Sequence, residues 1–135
     1  MTIQFSVAVR NAMLDSIETA IGVSAKVQIW TGTQPINCAT ASSGTKIVEW
    51  ALASDWASNA ASGTKALTSV PVSTTGIANG TAGYYRFVDS TGATCHEQGT
   101  ITATGGGGDM TIDNVTIASG QTVQITGFTK TAPGA

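Results

Sequence analysis

Apolar residues in SVAVRNAMLDSIETAIG, residues 6–22, recur at four-residue steps: Val9, Met13, Ile17 and Ile21, with Leu14 and Ala20 widening the stripe. That spacing predicts an amphipathic helix whose stripe must be buried against the body of the protein or a neighbour. Ser6 is its candidate N-cap, and Gly22 the residue that ends it. After Gly22 the period changes to two. SAKVQIWTG sets Ala25, Val27 and Ile29 on one face and Lys26, Gln28 and Trp30 on the other, the pattern of a half-buried strand.

Short alternating runs then continue to the end of the chain, separated by Gly, Pro, Asn and Ser. TKIVEWALA (45–53) alternates Val48, Trp50 and Leu52 against Ile47, Glu49 and Ala51, and AGYYRFVDS (82–90) alternates Tyr85 and Phe87 against Tyr84, Arg86 and Val88. The DSTG of residues 89–92 has the chemistry of a type I turn, so CHEQGTITA returns as the second strand of a hairpin. DMTIDNVTI and QTVQITGFTKT supply further strands. The expected fold is α+β, mainly β: an antiparallel β-sandwich or barrel with one N-terminal α-helix. It forms a single domain over residues 1–135, with the helical segment in 1–22, the β-domain in 23–130 and a frayed tail in 131–135. Two connections, 31–44 and 54–81, are too long for hairpin turns and are the expected places for partner contacts.

Composition narrows the function. Charged residues make up 10% of the chain, against about 25% in ordinary soluble domains, so the surface must be built largely from Ser, Thr, Ala, Gly, Asn and Gln. The net charge is −2 and the six basic residues are scattered, which leaves no patch for a phosphate backbone and argues against nucleic-acid binding. No long apolar run or secretory leader is evident, so a soluble product of the cytoplasm is expected, without membrane contact. A surface so poor in charge suits a protein covered by other subunits, and a homo-oligomer is expected.

Features that look chemical have structural explanations. SGTK occurs at 43–46 and 62–65, but a phosphate loop needs its lysine directly after glycine. Gly105–Gly108 precede DMTIDN, a strand pattern, so no helix terminus is at hand for a dinucleotide; the glycines are expected to supply positive φ or to let another backbone approach closely. Asp109 and Asp113 lack the spacing of a calcium loop. Cys95 and His96 point to opposite faces of a strand. Cys38 and Cys95 are therefore expected as two buried, inert thiols, with a Cys38–Cys95 disulfide as the alternative. Trp50 and Tyr85 fall on core faces. Trp30 and Tyr84 fall on the opposite faces and, with Met13, Ile17 and Ile21 of the helix, are the candidate interface residues. With one histidine and scattered carboxylates, no catalytic, cofactor or metal set can be assembled, and a non-enzymatic protein is expected.

AVRNAMLDSIETAIG, PINCATASSGT, the SDW of residues 54–56, CHEQGTITATGGGGDMTIDN and GQTVQITGFT together resemble small virion structural proteins of tailed bacteriophages. The resemblance implies a virion component without catalytic residues, assembled in the host cytoplasm, whose partners are the major capsid protein or other virion proteins. A head decoration or cement protein on the capsid lattice is the first expectation. A head–tail joining or tail protein, and a carbohydrate-binding module on the virion, are the alternatives.

Overall fold

The computed structural model describes residues 3–68 and 72–135; residues 69–71, within the second long connection, lie outside the described residues. Helix α1 (Val7–Ile21) opens where expected, with the Ser6 hydroxyl accepting from Val9 N–H, and closes on Gly22, whose N–H donates to the Glu18 carbonyl. The strands are β1 (Lys26–Trp30), β2 (Lys46–Ala51), β3 (Thr64–Ala66), β4 (Val72–Thr75), β5 (Gly80–Thr81), β6 (Tyr84–Val88), β7 (Cys95–Ala103), β8 (Met110–Ile112), β9 (Thr116–Ile117) and β10 (Thr122–Thr131).

The strands make one curled sheet in the order β2-β1-β6-β7-β8-β10-β3, with β4 also on β10 and a small β5–β9 ribbon beside it. The sheet is mixed and forms a half-barrel, so the molecule is mainly β with one N-terminal helix. Its concave face carries the inward row expected from period two. Val27 pairs with Trp50 and Phe87, and Ile29 with Val48 and Tyr85, all of them buried. Trp56, Phe87, Phe128 and Tyr85 stack in turn with ring centroids 5.1 to 5.6 Å apart, a contact geometry that adds to the burial of their area. On the convex face the same register aligns Glu49, Gln28, Arg86 and Gln98 across four strands. Gln28 donates to Glu49 at 2.8 Å and Arg86 to Gln98 at 2.9 Å, so polar residues are satisfied as a ladder.

One pairing departs from the expected antiparallel sheet: β7 and β8 are parallel, joined only by residues 104–109. Parallel neighbours ordinarily need a crossover of a dozen residues or more, and the glycine run removes that need. Gly105 and Gly107 have φ near +80°, which reverses the chain. Gly106 and Gly108 lie against Thr102 so closely that a Cβ on either would come within 2.9 Å of it. Asp109 then clamps the returning chain to β7, its carboxylate accepting from the Thr100 N–H and hydroxyl at 3.0 and 2.8 Å.

The helix corrects two expectations. Its buried row is Arg10, Leu14 and Ile21, with Ile17 partly buried, while Val9 and Met13 are 44% and 37% exposed. A strict four-residue row drifts around a helix of 3.6 residues per turn, so Val9 and Ile21 cannot share a face. The seam of Met13, Ile17 and Ile21 therefore begins one position later, at Leu14. The second correction concerns the tail, which is tied down: Ala132 is buried and its carbonyl accepts from Arg10 Nε and Nη2, and Phe5 N–H donates to the Gly134 carbonyl.

Much of the helix docking is polar. Lys65 of β3, 4% exposed, donates to Asp15 Oδ1 at 2.7 Å and to the Ser58 carbonyl, and its ammonium lies 2.7 Å from Glu18 Oε2. Burial alone would lower the Lys65 pKa, but the two carboxylates outweigh it and raise it, so the ammonium is charged in the fold. Lys65→Ala is expected to lower the unfolding free energy by about 2 kcal/mol, through the lost bonds and the lost packing of the stem. Lys65→Met should cost less because it retains the stem, and urea denaturation of the two variants checks the order.

Candidate functional site

Three surfaces could carry function: the outward side of the N-terminal segment, the cover formed by residues 31–44, and a polar cleft between β7 and β10. On the first, Ile3, Phe5, Val7, Val9 and Met13 are all exposed. The charged residues of the helix are engaged by partners, Arg10 by the Ala132 carbonyl and Asp15 and Glu18 by Lys65, although the Asp15 side chain is still 46% exposed. The exposed helical positions are apolar or small and uncharged: Val7, Ala8, Val9, Ala12, Met13, Ser16, Thr19 and Ala20. Of the helical candidates, Met13 therefore sits on this outer face, while Ile17 packs partly and Ile21 fully against the core.

The second surface reassigns Tyr84. The 31–44 connection lies over the convex face, where Tyr84 Oη donates to the Ser43 carbonyl at 2.8 Å and accepts from its N–H. Arg86 Nη2 donates to the Thr40 carbonyl at 2.8 Å and Gln98 Nε2 to the Pro35 carbonyl at 2.6 Å. Tyr84 is 0% exposed, so it is a buried anchor for the connection and not a surface residue. Alternation placed its ring away from the core correctly but could not show that a loop covers that face. Trp30 is half-buried on the same face, its indole N–H donating to Gln28 Oε1. Trp50, Trp56 and Tyr85 are all in the core, so the aromatic residues do not gather into one stacking platform.

Cys38 and Cys95 are joined as a disulfide, with Cα atoms 5.2 Å apart. This overturns the expectation of two free, buried thiols. The bridge fastens the 31–44 connection to the start of β7, and neither half-cystine is fully buried. His96 is exposed beside it. Among the described residues no group of three or more His, Cys, Asp or Glu could hold a metal ion.

The third surface is a cleft of about 300 Å³, floored by Tyr85, Glu97, Phe128 and Lys130 and flanked by Asp109 and Gln98. Tyr85 Oη donates to Glu97 Oε2 at 2.6 Å, and Glu97 pairs through its other oxygen with Lys130. Burial first, then the Glu97 charge, pushes the Tyr85 hydroxyl well above its ordinary pKa, so it stays a proton donor. The Thr100 N–H and hydroxyl hold Asp109 below the usual carboxylate range. Gly99 makes this crossing possible, because a Cβ there would lie 2.8 Å from Tyr85 Oη and 2.9 Å from Asp109 Oδ2. Sequence reasoning missed the cleft; its only signal was a glycine inside an otherwise β-forming run.

No protein-family model, curated protein or solved structure matched the chain when it was compared with them.

Three measurements follow from this geometry. The intact mass without reductant is expected to be lower than the reduced mass by two hydrogens. Replacing both cysteines with serine should lower the unfolding free energy by up to about 4 kcal/mol, the chain-entropy value for a bridge spanning 57 positions. Asp109 and Glu49, the latter bonded by Gln28 and Lys46 strongly enough to overcome its burial, both have lowered pKa values. The stability they lend is present above the unfolded carboxylate pKa of about 4 and is lost as the pH falls through their folded values. Acid titration of unfolding should show that loss, and Asp109→Asn should make it shallower.

Proposed function

We propose that this protein is a non-enzymatic structural subunit of a tailed-bacteriophage particle, bound to the capsid lattice as a head decoration or cement protein. The observation that carries the reading is the outer side of the N-terminal segment, where Phe5, Val9 and Met13 are exposed while the charged helical residues are engaged by Lys65 and the Ala132 carbonyl. An apolar, uncharged face of this kind suits burial against another protein. The link to phage particles rests on the resemblance of the segments quoted above. The Cys38–Cys95 bridge fits a protein that works after release into an oxidising medium. The near-neutral Thr-, Ser- and Gly-rich surface fits close packing among other subunits.

Quantitative mass spectrometry of purified particles tests the reading. Hundreds of copies per particle are expected for a lattice protein; about six or twelve would move it to the neck or tail, by the symmetry of such assemblies. Absence from the particle would overturn the proposal. Met13→Asp, at an exposed position, is expected to leave the isolated protein folded, as read by circular dichroism, and to reduce its incorporation.

A further inference from the structure

The sheet has a slot in it. β8 lies between β7 and β10 for only three residues, pairing Met110 with both Ile101 and Phe128. Because β8 separates them there, β7 and β10 run two strand spacings apart, about 9–10 Å. Beyond the start of β8 the glycine run carries the chain away, and nothing among the described residues takes the place between residues 97–99 and 129–131.

Both sides of the slot offer unused main-chain groups. Thr100 N–H points away from β6, since it donates to Asp109. Successive residues of a strand alternate in direction, so Gln98 N–H and C=O point into the slot as well. On the other side, Ala132 N–H donates to the Gly63 carbonyl, toward β3. By the same alternation Lys130 faces β3, and Thr129 and Thr131 turn their N–H and C=O groups into the slot. The volume is about 300 Å³. Only a chain with donors and acceptors on both edges, an extended peptide, can satisfy the two walls together.

Charge narrows the peptide further. The floor brings two carboxylates, Glu97 and Asp109, against the single ammonium of Lys130, which Glu97 already holds. Asp109 accepts from Thr100 through Oδ2 and faces the same cleft. We propose that the slot binds an extended segment of another protein, carrying a basic side chain, which adds as a strand parallel to β7 and antiparallel to β10 and continues the line of β8. This site is separate from the apolar helix face and does not depend on where the protein sits in a particle.

The probe is an N-acetylated, C-amidated peptide, Thr-Val-Thr-Lys-Thr-Val, added to the isotope-labelled full chain, with amide hydrogen exchange followed by NMR. Saturating peptide is expected to slow exchange at Gln98, Thr129 and Thr131 by about tenfold or more, the protection of newly made ladder bonds. The same peptide with proline at its third position, lacking one main-chain donor, should protect poorly. Asp109→Asn should weaken binding of the lysine peptide by about threefold and leave a norleucine version unchanged, as for an exposed ion pair. Thr129→Pro removes one wall donor; a folded variant of this kind should lose binding, and the wild-type exchange pattern decides the matter if it does not fold. The proposal is overturned if these amides are already protected in the free protein, if the proline peptide protects equally, or if millimolar peptide changes nothing. It is also overturned, in favour of a second copy as the occupant, if protection rises with protein concentration alone.

Discussion

The buried ammonium of Lys65 is the constraint on which much of this architecture turns. A charge taken out of water must find partners or be neutralised, and here the partners come from the first helix: Asp15 and Glu18, one turn apart. The contact sets the rotation of α1 about its own axis. With Asp15 and Glu18 facing β3, Arg10 must reach the Ala132 carbonyl and Leu14 and Ile21 must face the core. Val9 and Met13 are then left outside. An exposed apolar side is thus a consequence of how an internal charge is satisfied, and a substitution at Lys65 would reach the outer face without touching it.

The same economy of charge runs through the rest of the molecule. All six basic residues make internal contacts: Arg10 with Ala132, Lys26 and Lys46 with Glu49, Lys65 with Asp15 and Glu18, Arg86 with Gln98, and Lys130 with Glu97. Where most soluble domains spread charge over their surface, this one uses it to join elements that apolar contacts alone would not orient. The ladder of Glu49, Gln28, Arg86 and Gln98 holds four strands in register from the convex side, while the aromatic stack fills the concave side.

Much of the β-structure was legible because period-two alternation is a local signal. Tyr84–Val88 and Cys95–Ala103 lie where the alternation and the DSTG turn put them. Three things were not local. The helix face is one: a row of residues four apart looks like a stripe but winds out of it, and only the position of Lys65 shows which turn of the spiral is inside. Tyr84 looked exposed because its cover, Pro35 to Ser43, comes from a connection with no periodicity of its own. The half-barrel's slot depends on β8 beginning only at Met110, a limit set by a glycine loop that strand propensity alone does not describe. Of the candidate residues, the disulfide pair was legible as an alternative, since two cysteines admit only one bridge; that the bridge forms depends on a loop folding back over β7.

The contact between Arg10 and Ala132 spans 122 positions of the chain. The helix also rests on residues 60–65, so its docking begins on β3 and is complete only when the end of β10 is in place. Local hydrogen bonds let α1 form early, but a helix of fifteen residues is marginal alone in water. Closing contacts of such long range is slow relative to helix and hairpin formation. During that interval both sides of the helix are open, the one bound for the core and the one left outside. The folding time of the sheet therefore sets how long the nascent chain presents a surface that any neighbouring copy could capture.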